Sequence, residues 1–433
     1  MNESSPSNYL SRIILKTIGS STIHGLPKII NNRSNIIKFM WLICFIASTC
    51  VCFWFLSITI DEYLKFESVT KIETIFTNQL TFPIVSICNL KYLHSNQMIK
   101  TNETIYDTLI ECRFSMENCS IENDIEIYTD INYGKCFRFN SIRSSKHSYR
   151  RGMQGGLELL LFTDSSDYEN NYSNENGFNL FLTNEPLSSN SITGFKLSPG
   201  NSIYISLDKQ TINLKEKPYS NCIQDLNQPD SYKSDVFKKT LISNKQFEIY
   251  HFKNCYYVCM QKYLLDNCGC QFNGYDFVYS PRNNTSLFCT NQEQMNCLNK
   301  KRSIFNRNKQ YLEQCDCPLE CQTIEYKFLL TYSKYPTNFS AQFLYNHNDL
   351  IKKKIIKSNM DTNKLDFLRG RLVKLFIYYD DMKETIINHE AKFKLADFVS
   401  SIGGTLGLFL GISFLSFIEL IEILIELIFI LIK

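Results

Sequence analysis

Three carboxylates, Glu419, Glu422 and Glu426, interrupt an otherwise apolar stretch near the C-terminal end of the chain. Upstream of them Gly403, Gly407 and Gly411 recur every fourth residue, a small-x-x-x-small pattern that lets helices approach closely. At ~100° per residue a helix gathers Gly404, Leu408, Gly411, Leu415, Glu419, Glu422 and Glu426 into an arc of ~80°. One face then runs from glycines to carboxylates. An ionised acid near the middle of a bilayer costs ~2.5–3.5 kcal/mol, so that face is not expected to meet lipid. Neither apolar stretch of the chain offers a cationic partner, which leaves water, and carboxylates around water attract cations. Two helices cannot enclose such a path, so several copies must assemble. The competing reading puts the glutamates at the cytosolic headgroups, which suits Glu426 better than Glu419.

The elements that must hold this face are two spans. Residues 39–60 and 398–418 carry no charge, and the second run continues apolar to Ile432 apart from the three glutamates. About 20 residues cross the hydrocarbon core as a helix. A cleaved signal peptide fits the first run poorly, because a polar-rich segment precedes it and it is too long for a signal core. Arg12, Lys16, Lys28, Arg33 and Lys38 precede the first span, whereas Asp61, Glu62, Glu67 and Glu73 follow it. The positive-inside rule then predicts a cytosolic N-terminus over 1–38, a first span over 39–60, an outer domain over 61–397 and a second span with the pore over 398–432. The expected localisation is the plasma membrane, multi-pass, with both termini cytosolic.

Cysteine placement agrees. Of 17 cysteines, Cys44, Cys50 and Cys52 lie in the first span, and the other fourteen all lie between the spans. An even number in an oxidising compartment implies up to seven bridges. The alternative is zinc at the close pairs Cys268-Gly-Cys270 and Cys315-Asp-Cys317, but the C-x-x-C spacing is absent. Sequons at Asn102, Asn118, Asn171, Asn283, Asn284 and Asn338 are glycosylation candidates in the same region. Alternating residues over 81–90, 156–162, 178–183, 202–207 and 372–379 predict strands. Residues 339–357 predict a helix, and the cysteine-rich stretch 255–321 reads as helical between bridges. The fold class is thus an α+β membrane protein with two transmembrane helices and a large disulfide-rich extracellular domain. The six histidines are scattered without metal-ligand spacing, no catalytic constellation or phosphate-binding loop stands out, and no cofactor or metal is expected. A formal net charge of +3 points to no particular partner, and no nucleic acid is expected.

Four motifs occur in order: Ser21-Thr-Ile-His-Gly-Leu26, Leu80-Thr-Phe-Pro-Ile-Val-Ser-Ile-Cys-Asn89, a cysteine-rich region ending Cys315-Asp-Cys-Pro-Leu-Glu-Cys321, and Gly403-Gly-x-x-Gly-Leu-Phe-x-Gly-x-Ser413 with Glu419. On these residues, over nearly its whole length, the chain resembles the degenerin/epithelial sodium channel family, which includes the acid-sensing ion channels. The resemblance implies a trimer of subunits with palm, thumb, finger, knuckle and β-ball regions, formed with two further identical or related subunits. It implies sodium ions as cargo and amiloride-type blockers as ligands. It pairs Cys88 with Cys136, Cys112 with Cys119, Cys222 with Cys321, Cys255 with Cys317, Cys259 with Cys315, Cys268 with Cys297, and Cys270 with Cys289. It assigns Gly411, Ile412 and Ser413 to the selectivity filter, where the tract interrupts the second helix. It assigns gating roles to His24, Gly25 and Ser400, and links Gly407 to amiloride block.

The opener is read from differences. Val69-Thr-Lys-Ile-Glu73 resembles the acid-sensing branch. Yet Glu67-Ser68 stands where that branch has a histidine pair, and Asn299 and Ser303 flank Lys300-Lys301-Arg302 where its thumb carries carboxylates. Proton sensing near neutral pH needs histidine or crowded carboxylates. An extracellular ligand, a peptide in preference to protons, is therefore expected. The rival from another class is a non-conducting two-span cell-surface receptor, against which the glycine ladder and Glu419 argue.

Overall fold

The computed structural model describes residues 24–90, 105–130, 133–141, 145–163, 175–184, 194–223, 252–270, 289, 291–357, 364–416, 418, 419, 421, 422 and 425. The chain divides into two compact units, Met1–Val69 with Glu390–Lys433, and Thr70–His389. The principal helices are α1 (Leu26–Asn31), α2 (Asn35–Leu64), α3 (Phe252–Cys268), α4 (Gln292–Arg307), α5 (Asn338–His347), α6 (Asp349–Lys357) and α7 (Leu395–Leu410). The strands of the two larger sheets are β1 (Ser68–Phe76), β2 (Ile84–Asn89), β3 (Leu109–Phe114), β4 (Glu117–Asn118), β5 (Ile125–Asp130), β6 (Gly134–Phe139), β7 (Leu157–Phe162), β8 (Phe178–Thr183), β9 (Phe195–Leu197), β10 (Asn201–Asn213), β11 (Gln322–Lys334) and β12 (Leu372–Ala391).

In the first unit α2 runs for 30 residues. At 1.5 Å per residue this is about 45 Å, ample for a bilayer crossing. It is longer than the apolar run 39–60, because polar residues at both ends continue the helix past that run. It ends where Phe66 turns to a φ of 48°. Among its residues only Cys52 is buried. The second apolar segment is not one continuous helix over 398–432. α7 stops at Gly411, whose φ of 68° is left-handed, a conformation glycine adopts without Cβ strain. Residues 411–413 are not helical, and helix resumes at Phe414. The arc drawn from Gly404 to Glu426 is thereby corrected: the turn at Gly411 resets the helical phase midway. Glu426 lies outside the described residues.

In the second unit the larger sheet runs β11-β10-β12-β7-β3-β4, with β1 also on β12. β10 pairs antiparallel with β11 along its full length and parallel with β12. A second sheet runs β9-β8-β2-β6-β5. β7 shows why the sheet is central. Side chains alternate across a strand, and Leu157, Leu159 and Leu161 enter the main core, whereas Leu160 and Phe162 enter a second core beneath Leu344 of α5 and Ile351 and Ile355 of α6. The expected helix over 339–357 is two helices, with Asn348 ending the first.

Seven disulfides staple this unit: Cys88–Cys136, Cys112–Cys119, Cys222–Cys321, Cys255–Cys317, Cys259–Cys315, Cys268–Cys297 and Cys270–Cys289. They join the same pairs the family resemblance implies. Cys255 and Cys259 lie one turn apart on α3, so α3 takes both Cys317 and Cys315 on one face. The close pairs Cys268/Cys270 and Cys315/Cys317 each divide between two bridges, so none of these sulfurs remains as a thiolate for zinc. α4 begins with a capping box, in which Asn291 accepts from Gln294 N–H and the Gln294 side chain accepts from Asn291 N–H.

Candidate pore and gating site

The site lies within the first unit and is built where α7 ends. The last carbonyls of any helix lack intrahelical donors, and here they find them in three places. Gly411 N–H donates to Gly407 C=O at 3.0 Å and Ile412 N–H to Leu406 C=O at 3.3 Å. His24 N–H, from the segment just before α1, donates to Leu410 C=O at 3.0 Å. The Ser48 hydroxyl of α2 donates to Phe409 C=O at 2.6 Å. The two residues named for gating and for the filter thus meet: a Cβ on Gly411 would sit 2.5 Å from His24 Nδ1. Beyond the break, Ser413 N–H donates to Ser416 Oγ at 3.1 Å and Ser416 N–H to Ser413 C=O at 3.0 Å. This reciprocal pair restarts the helix.

The remaining site residues are placed as follows. Ser400, Gly404, Gly407 and Ser413 are exposed, as are Leu408 at 80% and Leu415 at 67%. Gly411, Ile412 and Glu419 are half-buried, and Glu422 is exposed. Gly25 carries the left-handed φ of 96° that begins α1, and a Cβ there would lie 3.2 Å from the Phe45 ring. Of the sequons, Asn118 on β4 and Asn338 at the start of α5 are exposed; Asn102, Asn171, Asn283 and Asn284 lie outside the described residues.

At the other end of α2 and α7, Tyr63 stacks on Phe398 with ring centroids 4.2 Å apart. Lys392 Nζ donates to Glu67 Oε2 at 2.7 Å, and Lys392 N–H donates to Glu67 C=O at 2.9 Å. This hydrogen bond and charge hold the Glu67 carboxyl below the usual carboxylate range and Lys392 above its own. Sequence reading singled out Glu67 but missed Lys392 and Ser48. Lys392 is one lysine among many. Ser48 offers one signal, a hydroxyl in an apolar run. On α4, Lys301 donates to Asn267 Oδ1 at 3.0 Å, and Asn299, Lys300 and Ser303 are exposed.

Among the described residues the structure thus has one helix long and apolar enough to cross a membrane, a second, shorter apolar helix that ends at a glycine, and an α+β unit stapled by disulfides. The family model described as amiloride-sensitive sodium channel matches residues 18–105 and 91–423, and the chain belongs to that family. Acid-sensing ion channel 1B of Danio rerio is 22% identical, over 95% of this chain and 76% of its own length. Acid-sensing ion channel 1 of Gallus gallus is 22% identical, over 93% and 82%. The FMRFamide-activated amiloride-sensitive sodium channel of Cornu aspersum is 24% identical, over 96% and 83%. The chain is a cation channel of this family.

Proposed function

We propose that the chain is one of three identical or related subunits of a sodium-selective, amiloride-sensitive channel. It crosses the plasma membrane twice with both termini cytosolic, and an extracellular ligand opens it. The observation that carries this reading is the break at Gly411, tied to His24 on one side and to α2 on the other. A non-helical Gly-Ile-Ser tract frees backbone carbonyls that can replace part of an ion's hydration shell. Exposed Leu408, Leu415 and Glu422 and half-buried Glu419 are consistent with a cation path completed by neighbouring chains. Ser400 is the small residue at which the path closes. The outer domain would span 61–397, with the thumb at about 255–321. A peptide opener is favoured over protons alone, because Glu67 is held in an ion pair and α4 carries Lys300, Lys301 and Arg302.

The test is sodium current from the chain expressed alone in oocytes, with Ser400→Phe beside the wild type and amiloride applied to both. A standing amiloride-sensitive current in Ser400→Phe is the expected result, and peptide libraries would then be screened on the wild type. No current in either, with both proteins verified at the surface, would sink the conducting reading for the chain alone in favour of a non-conducting receptor or an obligate partner subunit.

A further inference from the structure

α2 carries four serine and threonine residues, Ser48, Thr49, Ser57 and Thr59. A serine or threonine in an apolar helix ordinarily donates to the carbonyl one turn back in its own helix. Three of the four do so: Thr49 to Phe45 C=O at 2.8 Å, Ser57 to Phe53 C=O at 2.8 Å and Thr59 to Phe55 C=O at 3.0 Å. Thr405 of α7 behaves alike, donating to Ser401 C=O at 2.8 Å. Ser48 instead spends its one proton on the other helix, at Phe409 C=O. That carbonyl stands two residues before the turn at Gly411. As one of the last four of α7, it has no donor from its own helix.

We propose that Ser48 is a positioning residue for the ion-selective tract, and so a determinant of cation selectivity; this rests on the pore reading given above. The Ser48 bond fixes the peptide plane between Phe409 and Leu410. The next carbonyl, Leu410, is fixed by His24 N–H. With two successive carbonyls tied to Ser48 and to His24, the backbone enters Gly411 in one orientation, and the carbonyls that follow are aimed by it. The Phe409 ring supports the same geometry, lying stacked 5.7 Å from Phe55 of α2. Without the Ser48 hydroxyl, Phe409 C=O is an acceptor in apolar surroundings. It gains by rotating toward another donor, which turns the Gly411 bend with it. A purely structural serine would contribute to helix packing and leave selectivity alone.

The experiment compares Ser48→Ala and Ser48→Thr in the Ser400→Phe parent by reversal potentials in sodium and potassium. Backbone amide exchange at residues 411–413 is measured in parallel on the purified full chain in lipid nanodiscs. Ser48→Ala is expected to change the sodium-to-potassium permeability ratio by about threefold, the equivalent of one interhelical hydrogen bond of average strength. It should also speed exchange at 411–413, while Ser48→Thr, which keeps the hydroxyl, matches the parent in both. Ser48→Cys, close in size but a weak donor, replaces Ser48→Ala if the latter does not reach the surface. An unchanged ratio in a conducting parent overturns the proposal, as does Ser48→Thr behaving like Ser48→Ala. A parent without current sinks the conducting reading for the chain alone instead, and exchange then decides Ser48 by itself: faster in Ser48→Ala alone supports the tie, unchanged removes it.

Discussion

The Glu67–Lys392 ion pair bears on the proposed opener. Both side chains are about half exposed, so their attraction contributes little to stability, but its pH window is informative. The Glu67 carboxyl is held below its ordinary value. Its contribution is therefore complete above the unfolded carboxylate range near ~4.3 and lost only as pH falls below it. Lys392 is held above its ordinary value. Its contribution is complete below ~10.4 and lost as pH rises further. Between about pH 5 and 10 the pair does not change charge, so it cannot report a mild acid step. Glu67→His replaces the carboxylate by a group titrating near ~6.5, which loses the attraction when neutral and repels Lys392 when charged. The gating of Glu67→His channels is expected to acquire a pH dependence between ~5 and 8 that the wild type lacks at this position. Acid-step recordings on both check it, and superimposable pH curves would refute it.

At the scale of elements, the sequence located α2 and α7 but not their ends or the break. Hydropathy detects the apolar slab, and polar residues such as Asn35 and Asp61 prolong α2 beyond it because a helix needs only its own backbone bonds to continue. The glycine ladder was read as close packing, but within this chain a Cβ at Gly403 or Gly404 would meet nothing within 4 Å. The stop at Gly411 was not legible from periodicity, since one left-handed residue leaves the apolar pattern intact; only the family resemblance placed an interruption there. β10 and β12 likewise outrun their apolar cores. Lys209 and Glu384, which face each other in the β10–β12 register, form an ion pair at 3.2 Å with the side chains 11% and 22% exposed. Thr211 donates to the same Glu384 carboxylate. Polar partners thus carry those strands where alternation gives no signal. The break itself yields a prediction. Gly411→Ala puts a Cβ on left-handed backbone at a cost of about 1–2 kcal/mol and drives that Cβ into the His24 ring. The variant is expected to lose the tie between His24 and Leu410 and to abolish or de-select the current of the Ser400→Phe parent at normal surface levels. Unaltered selectivity would show that the His24 contact is dispensable.

For the molecule as a whole, the disulfide framework is observed and the assembly is an expectation, and the two were read in different ways. Fourteen cysteines allow far more connectivities than spacing can choose among, so pairing came from resemblance, and sequence alone gave only the compartment. Assembly follows from energetics that the sequence does contain. Isoleucine, phenylalanine and tryptophan side chains stand exposed along α2 away from α7, with Ile36 at 83%, Phe39 at 64% and Trp54 at 62% exposure. An apolar helix face of this length is covered by lipid or by other helices. α7 and the segment after it differ, because exposed Leu408 and Leu415 share their run with Glu419 and Glu422. On the proposed pore reading, carboxylates at membrane depth avoid lipid, that surface faces water enclosed by protein, and one chain supplies a single copy of it. A ring of such segments is the smallest arrangement that meets the demand, and three is the number the family resemblance implies. Single-molecule photobleaching of a fluorescently tagged full chain at the cell surface is expected to give at most three steps, with a step distribution fitted by three subunits. Predominantly single-step spots at full labelling would mean that the carboxylates find their water without neighbours. The argument from lipid exclusion to a shared ion path would then fail at its first step.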